Sequence, residues 1–585
     1  MDAEPGFTAV VHISLKNNDG SIIDSTLGQN PLQLRIGKSQ INIPELEQAI
    51  IGMKPGDSTT LKLPIEKTNA FLNAEIRPLI NGQELIFDIQ LVDIVPLNQR
   101  GAEEQYKTGM EMQKLGRIDE AVSSFKRAIL LSPEFPAPYF SLGALLQQRG
   151  YIDEAITLYQ QVLQLCPEHS DTCNVLGSAF QAKGQLAEAI AWYQKAIQFN
   201  PNSFMAHNNL GSALKLQGDI DGAIKQYQRA LKLNPNFAES LNNLGNALRD
   251  KNELDKAMSF YRRSIALKPD FADAHWNLSY ALLLSGQFEE GWKEYEWRWK
   301  LKEPLHKLPQ PLWDGSDCAG KTILLFAEQG FGDTIQFIRY ITMVADKGIK
   351  VVLGCQKELK SLSENIQGVS QVIAYGEPLP QFDFQLPLIS LPMVFKTTSD
   401  TIPSQCPYIQ VGPRLIERWG KKMDLDQSKI NIGLAWAGSP GHLNDRNRSC
   451  PLDMFTRLTE TENCTFFSLQ KILNIESERN MIDTLKLIDY TGEISDFADT
   501  AAIIMNLDLV ISVDTAVAHL AGALGKKVWT LLPFAPDWRW MLKRDDSPWY
   551  PTMRLFRQYS WGDWRSVLVH VSQELTDQCK SFMSR

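Results

Sequence analysis

A chain of 585 residues is too long for one hydrophobic core, so several domains are expected. Its composition, 44% hydrophobic and 22% charged, excludes a disordered or fibrous chain, and a net charge of -9 argues against nucleic acid as a partner. The eight cysteines show no C-x-x-C pair or paired-histidine spacing, so no zinc site or disulfide framework can be read, and no apolar run approaches the about 18 residues of a membrane span.

The opening MDAEPGFTAV lacks the basic and then apolar order of a secretory signal, which places the protein in the cytoplasm. Within an expected domain of residues 1 to 98, residues 7 to 95 then alternate apolar and polar side chains in short runs such as TAVVHISL and ELIFDIQLVDI. Asn18-Asp19-Gly20 and Pro55-Gly56-Asp57 supply turn signals, so a small antiparallel sheet is expected. The order DGSIIDS, PLQLRIG, IPELEQAIIGMKPGD, LIFDIQL resembles the FKBP-type peptidyl-prolyl isomerases, an α+β fold. That resemblance implies a proline pocket in which Asp24 is the pocket aspartate, Ile43 and Phe87 are wall residues, and Phe71 stands where the family has a tyrosine. Leu32 and Leu46 replace common aromatic residues and Ile13 a frequent tyrosine, so the pocket is more aliphatic than usual. Two outcomes stay open: rotation about X-Pro bonds, or a peptide-binding module that keeps only the fold.

From 102 to 301 the sequence repeats every 34 residues, in six units. Pro133, Pro167, Pro201, Pro235 and Pro269 fall where each helical hairpin would close. Gly109, Gly143, Gly177, Gly211 and Gly245 mark the first helix, Ala121 and its equivalents the second, and Phe125, Tyr159, Tyr193, Tyr227, Tyr261 and Tyr295 are expected to fill the gap between neighbouring units. The pattern is that of tetratricopeptide repeats, an all-α solenoid that holds a protein or peptide. The sixth unit departs from it, with Ser279 for glycine and the run Trp292, Tyr295, Trp297, Trp299, as expected of a degenerate cap docked on the next domain. Asn209, Asn243 and Asn277 recur at one position of the first helix, although asparagine is a mediocre helix former. An amide can pair with any peptide backbone, and the repeats resemble those of O-linked N-acetylglucosamine transferases, which implies a peptide-binding ladder; a plain solvated position is the other reading.

After Pro304, Pro309 and Pro311, residues 310 to 585 alternate buried-type strands with helices, and two Rossmann-like halves at about 315 to 415 and 428 to 565 fit the length. One strand ends in AEQGFGD and another, LDLVISVD, runs straight into TAVAHLAGALG, which sets Asp514 and Thr515 at a helix N-terminus suited to a diphosphate. QGFGDTIQFIRY, GLAWAGSPGHLNDRNRS, FSLQ, SVDTAVAHLAGALGKKVW and PDWRWMLKRDDSPWYPTMRLFRQ resemble the heptosyltransferase-like family 9 glycosyltransferases. The resemblance implies an α/β GT-B fold that uses a nucleotide-diphosphate sugar and needs neither metal nor cofactor. It casts Asp333 as general base, Asp514 on the sugar, Thr515, Ala516 and His519 on the diphosphate, Arg446 and Arg448 on the leaving group, and Gln470 at the nucleotide ribose. Helix caps for the two aspartates, solvated loop positions for the arginines and a packed core ring for His519 are the bland alternatives. The whole therefore reads as a transferase acting on a protein held by its repeats, or as a peptide-binding scaffold whose only activity is isomerisation.

Overall fold

The computed structural model describes residues 3, 7–27, 31–36, 44–68, 80, 84–96, 98–301, 308–441, 444–471 and 476–583. Ile43 and Phe71 lie outside the described residues. The chain is multidomain and divides into two compact units, Met1–Asn234 and Pro235–Arg585.

The first unit begins with a five-stranded antiparallel sheet of β1 (Phe7–Lys16), β2 (Ile22–Ser25), β3 (Leu32–Arg35), β4 (Ser58–Pro64) and β5 (Glu84–Pro96). The order is β2-β1-β5-β4, with β3 also on β1. Alternation in β1 sends Ala9, Val11, Ile13 and Leu15 into a core with Phe87, Ile89 and Leu91, closed by the helix Pro44–Ile50 through Leu46 and Ile50. Gly20 at φ 84° makes the β1–β2 turn and donates its N–H to the Asn17 carbonyl at 2.9 Å.

Helical hairpins follow, from Gln99–Lys114 to Ile220–Leu233 in the first unit and from Ala238–Asp250 to Phe288–Tyr295 in the second. The repeat glycine has a definite cause. A Cβ on Gly143 would stand 2.7 Å from the Tyr159 ring, and one on Gly245 2.5 Å from Tyr261, so the aromatic residue of each second helix presses on the first helix of its own hairpin. The rings thus close the hairpin itself, where spacing alone had suggested the gap between units.

Two all-parallel sheets complete the second unit. The smaller has β6 (Thr322–Phe326), β7 (Lys350–Cys355), β8 (Val369–Ala374) and β9 (Phe384–Pro387) in the order β8-β7-β6-β9. The larger has β10 (Ile430–Ala435), β11 (Cys464–Ser468), β12 (Ile488–Asp489), β13 (Leu509–Val513), β14 (Val528–Leu532) and β15 (Met553–Arg557) in the order β12-β11-β10-β13-β14-β15. Strand order reverses beside β6 and again between β10 and β13, and at such points the loops leaving the carboxyl ends part to form a crevice. The sixth hairpin packs on this region: Trp292 is 2% exposed, lies 5.2 Å edge-on from Trp538 and donates its indole N–H to the Thr397 carbonyl at 3.0 Å. Among the described residues no helix is long and apolar enough to cross a membrane.

Candidate active site

The loop after β6 and the loop after β13 meet. Their helices, Phe331–Phe337 and Ala516–Ala523, pack so closely at Gly332 that a Cβ there would lie 2.9 Å from His519 Cδ2 and 3.6 Å from Ala516 Cα. A side chain at Gly332 would force the packed His519 ring to shift, and the contact brings the carboxyl ends of β6 and β13 together.

Asp333 sits in the first turn of its helix. One carboxylate oxygen accepts the Gly330 N–H at 2.9 Å, and the other accepts from the Arg539 guanidinium. The side chain keeps 21% of its surface open to solvent. Arg539 also donates to Asp537 at 2.9 Å and to the Gln336 side-chain carbonyl at 2.6 Å. Burial alone would lower this arginine, but Asp537 and Asp333 more than offset it, so it stays charged.

Asp514, at the end of β13, is 9% exposed, and its Oδ1 is 3.8 Å from His519 Nε2. Burial, reinforced by Asp537, pushes its carboxyl up to about 6. Burial and three nearby arginines hold His519 well below the ordinary histidine range. That ring pairs with the Tyr550 hydroxyl at 2.8 Å and stacks on Trp540, so it is a packed, neutral side chain with no positive charge to offer an anion. Thr515 precedes the helix without capping it through its side chain; its hydroxyl meets Ser512 Oγ at 3.1 Å. Ala516 opens that helix.

Arg448 and not Arg446 reaches Asp514. It donates to the Asp514 carbonyl and to the Asp445 carboxylate, each at 3.3 Å, whereas Arg446 is exposed on the same short helix. Gly438 is pressed against the carboxylate of Asp445 and the guanidinium of Arg448, so a side chain there would push both groups from their present places. Gln470 spends its carbonyl oxygen on the Ala437 N–H at 3.0 Å and so braces the loops leaving β10 and β11. Arg539 and Asp537 went unassigned in sequence although they lie inside the PDWRW run; their role depends on partners about 200 residues away.

Two further groups of candidate residues belong to the N-terminal sheet and to the repeats. Leu15 is opposite Asp24 on one side and Phe87 on the other, so Asp24 and Phe87 share one face of the N-terminal sheet, the first exposed at the edge and the second fully buried. Asn209, Asn243 and Asn277 are each half-buried. Asn209 donates to Asn174 at 3.1 Å and Asn277 to Asn242 at 3.0 Å. Asn174, Asn208 and Asn242 form a second 34-residue series one position earlier.

Residues 1–92 match the model of FKBP-type peptidyl-prolyl cis-trans isomerases, and tetratricopeptide repeat models match 106–135, 136–169, 177–218, 211–249 and 245–286. An FKBP-type segment precedes a tetratricopeptide repeat array. Both support the holding of a protein or peptide. Protein FlbA of Caulobacter vibrioides is 24% identical over 325 residues, 51% of this chain and 54% of FlbA. Peptidyl-prolyl cis-trans isomerase FKBP11 of Bos taurus is 33% identical over 100 residues, 16% of this chain and 48% of FKBP11. The chain spans about half the length of the curated relatives it matches. Among solved structures, MamA is 29% identical with a TM-score of 0.25, covering 27% of this chain and 93% of MamA. A thermophilic TPR protein of Thermus thermophilus is 23% identical with a TM-score of 0.28, covering 31% of this chain and 99% of its own.

Proposed function

We propose that the chain is a glycosyltransferase of the GT-B type that moves a sugar from a nucleotide-diphosphate donor to a protein or peptide held by the repeat array, with the FKBP-type segment assisting its conformation. The observation that supports this reading most is the close packing, at Gly332, of the helix that carries Asp333 on the helix that follows Asp514, which sets the strand ends of two separate parallel sheets side by side with Arg539 acting on both carboxyls. Asp333 takes the proton of an acceptor hydroxyl as that oxygen attacks the anomeric carbon and the bond to the diphosphate breaks. Asp514 meets the sugar. The leaving diphosphate is neutralised by Arg448 and by the N–H groups opening the helix at Ala516, a task that needs no metal. Each Asp333 oxygen has a second lone pair beyond its bond to Gly330 or Arg539, so pairing does not bar it from accepting a proton.

A second reading has its own support. Because Asp333 caps its helix and neutralises Arg539, it also has a purely structural use, as a peptide-binding scaffold would require. The test is to incubate the full chain with UDP-, GDP- and ADP-linked sugars and follow hydrolysis or transfer. Asp333→Ala should fold but lose turnover by about 100-fold or more, the scale of a lost general base. Equal rates in both proteins sink the transferase reading. Deleting residues 102 to 235 should abolish modification of a protein acceptor and spare donor hydrolysis.

A further inference from the structure

In the third, fourth and fifth repeats one position of the first helix serves its own hairpin. Ser178, Ser212 and Asn246 each accept the hydroxyl of the repeat tyrosine, from Tyr193 at 3.2 Å, Tyr227 at 3.2 Å and Tyr261 at 2.7 Å. In the sixth hairpin that position is Tyr280, and its bond goes elsewhere: the hydroxyl donates to Asp537 at 3.2 Å. The sixth repeat tyrosine, Tyr295, is diverted too, accepting from the Gln329 amide in the loop that carries Asp333 at 3.4 Å.

A continuous set of contacts results. Arg249 donates to the ladder residue Asn277 at 3.3 Å and lies 5.1 Å above the Tyr280 ring. Tyr280 holds one oxygen of Asp537, whose other oxygen accepts from Arg539, and Arg539 in turn donates to Asp333. Burial beside Asp537 keeps the Tyr280 hydroxyl protonated, hence a donor. Because Asp537 and Asp333 divide a single buried guanidinium, whatever fixes Asp537 also fixes how Arg539 presents itself to Asp333.

We propose that Tyr280 is a positioning residue through which the last repeats set the geometry of Asp333. The proposal rests on the transferase reading for its catalytic consequence, but the positioning can be measured without turnover. Full-length wild type, Tyr280→Phe, Arg539→Lys and Arg539→Gln are labelled with a carbodiimide and glycine ethyl ester, and Asp333 is followed by peptide mass spectrometry, with the half-buried Asp88 of the N-terminal sheet as internal control. Tyr280→Phe, which keeps the ring under Arg249, should raise labelling of Asp333 by about threefold and leave Asp88 unchanged. Arg539→Gln should exceed that, and Arg539→Lys should fall between. With a turned-over donor sugar, Tyr280→Phe should lower kcat by about tenfold with KM held within about twofold, the mark of a misplaced catalytic group. Tyr227→Phe, which removes the equivalent hydroxyl from a regular repeat, controls for general loosening of the array and should leave the Asp333 label unmoved. Unchanged labelling in Tyr280→Phe, or an equal rise in Tyr227→Phe, overturns the proposal. Raised labelling in a protein that turns over no donor removes the transferase reading and leaves the positioning intact.

Discussion

Replacing Asp514 with asparagine should stabilise the chain at neutral pH and do nothing in acid. The carboxyl is buried at the end of β13 and lies at about 6 in place of an ordinary 3.8. Between those values the folded state holds a proton that the unfolded chain has already released. Stability therefore falls as pH rises from about 4 to about 6, and the whole penalty is present above that. One pKa unit corresponds to about 1.4 kcal/mol, so ionised Asp514 costs roughly 3 kcal/mol. The attraction of Arg448 and Arg539 is already included in that net displacement. Asparagine has the same shape with no charge to desolvate, so it recovers up to this amount. The assay is urea unfolding of full-length wild type and Asp514→Asn, followed by tryptophan fluorescence at several pH values. Trp192 is the single tryptophan before Pro235, so the signal reports chiefly on the second unit. The difference in stability should be close to zero near pH 4 and reach about 2–3 kcal/mol by pH 7. His519 works the other way in both proteins: its folded value lies well below 6.5, so stability drops as pH falls and the unfolded histidine takes up a proton. A difference independent of pH, or a loss of stability at pH 7, would refute the reasoning.

Gly245→Ala should destabilise by about 1–3 kcal/mol in the same unfolding experiment, because its methyl group meets the Tyr261 ring at 2.5 Å; any gain in stability contradicts the hairpin-closing account. Trp292→Ala should cost about 3–5 kcal/mol by removing a side chain buried against Trp538 and orphaning the Thr397 carbonyl, and a loss below about 1 kcal/mol would show that the cap is not seated as described. Asp24→Ala in the full chain should fold, since the residue is exposed, and should reduce isomerisation of a proline tetrapeptide by about tenfold if the N-terminal sheet carries an active pocket. Equal rates with and without Asp24 would leave that segment a peptide-binding module.

Most of the local architecture was legible because it is local. A 34-residue period with glycine, alanine and aromatic residues in step specifies helical hairpins through contacts within about 20 residues of each other, and apolar runs of the β6 or β13 kind declare buried parallel strands. Asn18-Asp19-Gly20 and Pro55-Gly56-Asp57 likewise mark turns by the backbone angles that glycine allows, and both are found as turns. Motif order also drew attention to Asp333, Asp514 and Arg448. Sequence could not say which of two neighbouring arginines would face Asp514, since Arg446 and Arg448 differ only in which side of one short helical turn they occupy. Nor could it see that Arg539 grips Asp333, that Tyr280 grips Asp537, or that His519 is sealed beneath Trp540 and Tyr550 and thereby kept neutral. Those facts depend on which chain segments, some hundreds of residues apart, are brought within hydrogen-bonding distance, and charge and protonation follow from that burial. Residue type and period determined the helices, strands and turns on their own; the tertiary structure alone decided which charges meet, because electrostatics in a buried site depends on distance and desolvation, neither of which is written in the order of residues.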